Sequence, residues 1–147
     1  MNTNRLGNLG EARTLWEFVK REVPVYTQFG DTEKVDIIAD FNGKLNKVQC
    51  KTTDSLKNGK VTWTLSSTTN TSSGYKRHTY TKDEIDYFAL YSNQLDILLL
   101  IPIDVLLGKA EITIPIPYQK STNQYSFLNY EDYLFDKIIL EKTTCGE

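Results

Sequence analysis

The chain has 147 residues, which suits one domain with a modest core. Its longest apolar run, Ile97-Leu98-Leu99-Leu100-Ile101, has the length of a strand and falls far short of the roughly 20 residues that a membrane span requires. A net charge of −2, two cysteines (Cys50 and Cys145) and residues 1–5 without an apolar core argue against a disulfide scaffold or a signal peptide, and the expected setting is reducing and cytosolic, in a bacterium, a plastid or a phage-infected cell.

Residues 5–22 read as an amphipathic helix. Leu15, Phe18, Val19 and the Glu22-Val23 pair trace one side at helical spacing. Glu11 shares that side, where it is either a helix-start carboxylate favoured by the macrodipole or a group aimed at the sheet. Gly7 and Gly10 would allow close approach of the backbone to a sheet or a phosphate. Pro24 is expected to end the helix, and residues 25–29 can form a first strand.

Residues 35–41 and 45–52 read as two further strands, joined by Asn42-Gly43. A type I′ turn needs φ > 0 at both central residues, which makes Asn-Gly a strong hairpin signal. A two-residue loop sets the register: Phe41 faces Lys44, Asp40 faces Leu45 and Asp36 faces Gln49. Lys51 lies one step along on the Gln49 face, so a carboxylate, an amide oxygen and an ammonium converge. Cys50 alternates with its neighbours and is expected to point into the core as a structural thiol.

Residues 54–59 read as a polar loop, 60–66 as a strand and 67–76 as a long flexible loop. Thr81 and Glu84 have capping-box spacing. Residues 86–91 and 96–101 read as two buried strands. A short helical turn follows Pro102, and 112–117 form an edge segment holding Pro115 and Pro117. Residues 130–135 read as a terminal helix. This order implies an α/β (α+β) domain spanning 1–147, with a mixed sheet.

Charge is unevenly distributed. Residues 42–82 carry a net +7 against −2 before them and −7 after them. Such asymmetry points to a polyanion or to an ordinary solvated face. Lys57, Lys60, Lys76, Arg77, His78 and Lys82 are candidate phosphate and groove contacts, and Tyr75, Tyr80 and Tyr118 candidate aromatic ones.

Glu11, Val35-Asp36 and Gln49-Cys50-Lys51 together resemble the PD-(D/E)XK nuclease superfamily over about residues 5–53. Residues 75–104 are similar to its small subgroup of homing endonucleases from group I introns in transfer-RNA genes. Archaeal Holliday junction resolvases share the same core layout. The resemblance implies a restriction-endonuclease-like core, a mixed sheet flanked by helices, and Mg²⁺-dependent, sequence-specific cleavage of double-stranded DNA.

By the same resemblance Asp36 is the principal metal ligand, joined by Gln49 and the carbonyl of Cys50. Lys51 orients or activates the attacking water or stabilises the phosphorane, and Glu11 binds metal or positions Lys51. The chain departs from the pattern at Val35, which replaces a loosely held Pro, and at Gln49, which replaces the second acid. A double-strand cut implies at least a dimer, with a tetramer suggested by the subgroup. The rival readings are a junction resolvase, a catalytically silent DNA-binding module motivated by Gln49, and an oligomerising scaffold.

Overall fold

The computed structural model describes residues 1–30, 32–120 and 126–140; Cys145 and part of the basic and acidic tally lie outside them. α1 (Thr3–Lys20) opens the chain, capped by Asn2, whose side chain accepts from the Arg5 N–H. It ends before Pro24 by a different device. Val23 N–H bonds Phe18 O at 3.0 Å and Glu22 N–H bonds Val19 O at 2.9 Å, with Glu22 left-handed at φ 59°. This is a Schellman closure with Glu at the position that usually holds Gly. The face turned to the sheet is Gly10, Thr14 and Phe18; Val19, expected there, is 60 % exposed.

β1 (Val25–Thr27), β2 (Ile37–Phe41), β3 (Lys44–Thr53), β7 (Tyr87–Ser92) and β8 (Ile97–Pro102) form a mixed sheet in the order β1-β2-β3-β7-β8. Only β3 and β7 are parallel. The Asn42-Gly43 turn has φ 54° and 74°, the left-handed pair that type I′ demands. The register it sets holds throughout β2, from Phe41 opposite Lys44 to Ile37 opposite Val48. Asn46 seals the hairpin by donating to the Phe41 and Lys44 carbonyls at 3.0 and 2.9 Å.

Both faces of the sheet are covered, which is why β7 and β8 are apolar runs without alternation. Phe18, Ile37, Ala39, Val48 and Leu100 pack on the α1 side. Trp63, Leu65, Tyr80, Phe88 and Ile101 pack on the other. That second side is roofed by β4 (Lys60–Thr64) paired with β9 (Glu111–Pro115), so the proline-bearing segment does lie at an edge.

Residues 67–76, expected as a flexible loop, belong instead to a ribbon, β5 (Ser67–Thr71) against β6 (Gly74–His78). Threonines are good strand formers even without a buried face, and Gly74 at φ 117° supports the turn. Thr81 and Glu84, whose capping-box spacing allows a short helix or a turn, make the turn: the Thr81 N–H donates to the Glu84 carboxylate at 3.0 Å. α2 (Ile103–Leu106) follows Pro102 as expected. The expected terminal helix is a 3-10 turn (Tyr130–Tyr133) followed by α3 (Phe135–Ile138). Among the described residues no helix is long and apolar enough to cross a membrane.

Candidate active site

The site begins where β2 and β3 separate. The strand expected from residue 35 starts at Ile37, and Asp36 is not paired with Gln49 as the ideal register would have it. The Asp36 N–H bonds Val48 O at 3.1 Å, and the backbone then bends away. This leaves the Cys50 N–H without a ladder partner on that side. The Asp36 carboxylate takes it, with Oδ2 2.9 Å from Cys50 N. Because the N–H and C=O of one strand residue point the same way, the Cys50 carbonyl faces the same gap. Asp36 and Cys50 O therefore meet through backbone geometry.

Gln49 borders this gap. Its Nε2 lies 3.5 Å from Cys50 O, the outer limit of a hydrogen bond, and its Oε1 is buried with no partner among the described residues. A buried amide oxygen left unpaired costs roughly 1–3 kcal/mol. A half-turn of the amide exchanges its oxygen and nitrogen, which brings a second neutral oxygen to the Cys50 carbonyl. Hard divalent cations favour such oxygen sets. Among the described residues no three His, Cys, Asp or Glu side chains form a metal-holding group, so any cation here draws on the amide and the backbone carbonyl as well.

Lys51 points to the opposite face of β3 from Cys50. Its Nζ is 3.5 Å from Ser66 O and 5.3 Å from the centre of the Tyr80 ring. Burial lowers its pKa below the ordinary 10.5, and the Asp36 carboxylate acts against that shift. Cys50 faces α1, where burial first and the Asp36 charge second push its thiol well above the usual range. It is therefore a neutral packing thiol, and its contribution to the gap is its backbone oxygen.

Glu11 is brought to the same place by α1. Gly10 lies so close to β3 that an added Cβ would stand 1.8 Å from Thr52 Oγ1. Within α1 the Thr14 hydroxyl bonds Gly10 O at 2.7 Å, one turn back along the same buried face. Glu11, next in sequence, is half-buried and near enough for its charge to act on Cys50. Gly7, by contrast, meets nothing within 4 Å.

The candidate cations fall into separate groups. Lys76, Arg77 and His78 lie on β6, whose partner β5 starts one residue after Ser66. Their ribbon therefore springs from the Lys51 environment. Lys57 is exposed beside a second left-handed Asn-Gly turn, Asn58-Gly59, and the Lys60 ammonium lies 5.4 Å over the Phe127 ring. Lys82 pairs with Asp104 at 2.6 Å. Tyr75 and Tyr118 are exposed, but Tyr80 is only 6 % exposed, which removes it as a surface contact. Its ring is held edge-on by Phe88 at 5.4 Å.

Ser66 has no sequence signal at all. The Leu65 and Ser66 N–H groups both bond Ala110 O, at 2.8 and 3.2 Å, so two residues oppose one. This β-bulge turns Ser66 inward, where its Oγ is buried with no partner among the described residues.

A helix-borne carboxylate, a strand-end aspartate and a Gln-Xaa-Lys strand thus lie around one splayed seam. No curated protein matches the chain. Its fold is similar to the solved structure of a bacterial homing endonuclease, I-Ssp6803I, with a TM-score of 0.72 and 21 % identity over 90 % of this chain and 88 % of that one. The family model of the PD-(D/E)XK endonucleases matches residues 1–136, the stretch that carries Glu11, Asp36, Gln49 and Lys51. The seam between β2 and β3 is thus set in the fold of a nuclease, and the chain belongs to the PD-(D/E)XK endonuclease family.

Proposed function

We propose that the protein is a single-domain, sequence-specific endonuclease of the homing type that cuts double-stranded DNA with Mg²⁺. The observation that carries this reading is the polar set in the seam: Asp36, the Cys50 carbonyl and the Gln49 amide, whose oxygen has no partner among the described residues and reaches that carbonyl by a half-turn, with Lys51 two residues along β3. Nucleases of this family generally use divalent metal ions. Asp36, Gln49 and Cys50 O would hold the cation, with Glu11 at its outer side. Bound there, Mg²⁺ would make a bound water more acidic and would neutralise charge on the scissile phosphate.

The protein's own groups do the rest. Asp36 holds the seam in register through Cys50. The Lys51 ammonium, near Asp36 and over a tyrosine face, carries positive charge to the phosphate. Lys76, Arg77 and His78 line a two-stranded ribbon of a width that a DNA major groove accepts, with Lys57, Lys60 and Lys82 as outlying phosphate contacts. One chain offers one such site, so cutting both strands takes at least two copies. The similarity to the homing subgroup favours a tetramer in which two chains cut.

The test is cleavage of a library of linear and branched DNA with Mg²⁺ or EDTA. Cutting at one linear site, only with Mg²⁺, is the expected result. Preference for four-way junctions would make the protein a resolvase, and binding without cutting a silent module.

Two further results are expected. Cleavage should fall as pH rises through the pKa of Lys51, which lies below 10.5, because the cation is lost there. Lys51→Arg, charged throughout, should be slower and lack that falling limb; a pH–rate profile reads both. Lys76→Ala and Arg77→Ala should each weaken DNA binding and each reduce the slope of log K against log salt by about 1, measured by fluorescence anisotropy.

A further inference from the structure

The Lys51 ammonium meets the root of the β5–β6 ribbon, where the chain enters β5 and leaves β6. Ser66, just before β5, offers its carbonyl at 3.5 Å. Tyr80, just beyond β6, offers a ring face centred 5.3 Å from Nζ. A single long hydrogen bond does not fix an ammonium on a flexible four-carbon stem. The ring can, because it is itself immobile. It is 6 % exposed, and Phe88 abuts it edge-on at 86° with ring centres 5.4 Å apart. Lys34 also approaches this ring, at 5.9 Å, and is anchored separately by its ion pair with Glu84. The attraction between a cation and the negative face of an aromatic ring strengthens as water is excluded.

We infer that Tyr80 is a positioning residue: its ring face is the seat that holds the Lys51 ammonium toward the seam between β2 and β3. This rests on the reading of Lys51 as a catalytic amine. It assigns to the reaction a tyrosine that is only 6 % exposed, and it explains why a nearly buried aromatic stands at the root of the basic ribbon.

The experiment replaces Tyr80 with Phe and then with mono-, di- and trifluorophenylalanine by nonsense suppression. The series preserves size while progressively weakening the negative ring face. Single-turnover cleavage is expected to fall stepwise, to about one-tenth at the trifluoro side chain, with DNA affinity and melting temperature unchanged. A merely structural role would leave the series flat. A flat series with Lys51→Ala inactive overturns the inference and leaves the reading of Lys51 standing. Lys51→Ala cutting at the wild-type rate overturns that reading and the positioning role with it. The seat itself is read by NMR on the protein without metal or DNA. The Lys51 ε-methylene protons should be shifted upfield by the ring and relax toward ordinary positions in Tyr80→Leu; unshifted protons in the wild type would overturn the seat directly.

Discussion

Asp36→Asn is expected to stop cleavage, lowering the single-turnover rate on the order of 10³-fold at saturating Mg²⁺. The substitution is nearly isosteric, and an amide oxygen at residue 36 can still accept from the Cys50 N–H now bonded at 2.9 Å. The seam should stay in register and the circular dichroism spectrum should not change. What is lost is the negative charge. In the proposed site that charge matters more than it would beside a second acid, because the residue at that place is Gln49, which is neutral. Calorimetric titration with Mg²⁺ should show the loss of binding independently of activity. Gln49→Glu should move in the opposite direction and lower the Mg²⁺ concentration needed for half-maximal rate. Retention of activity within about tenfold by Asp36→Asn would sink the assignment.

The second large effect is expected from Gly10→Ala, which adds one carbon between α1 and β3. That carbon would lie 1.8 Å from Thr52 Oγ1, 3.0 Å from its Cβ and 3.2 Å from its Cγ2. Either Thr52 turns, on a strand next to Lys51, or α1 lifts from β3 and takes Glu11 with it. Overpacking of this kind costs about 1–3 kcal/mol. The melting temperature should drop by roughly 3–10 °C, and cleavage should fall with it. Thr52→Ala removes Oγ1 and Cγ2 but leaves Cβ, so the double variant should recover part of both losses. Scanning calorimetry and cleavage rates on the four proteins decide this. A Gly10→Ala protein that melts and cuts like the wild type would refute the close seat.

The parts of this protein that can be read from its residues are those decided within a few positions of themselves. Asn42-Gly43 demands left-handed backbone and so sets the pairing of β2 with β3, and period-two alternation puts Lys51 opposite in direction to Cys50. The family signature follows from the same local order. Reading residues 67–76 as a loop failed because Ser, Thr, Asn and Gly make a ribbon as readily once a partner strand is available. Asp36 leaves the ladder where pattern alone would continue it, and the backbone N–H of Cys50 is satisfied by a side chain instead. Tyr80 beneath Lys51, Ser66 turned in by a bulge, and Gly10 against Thr52 are likewise contacts between segments distant in the chain. Local φ preferences and side-chain periodicity are carried by each residue and survive in any context. Which faces meet, and how closely, depends on packing summed over the whole core, and only the tertiary structure decides it.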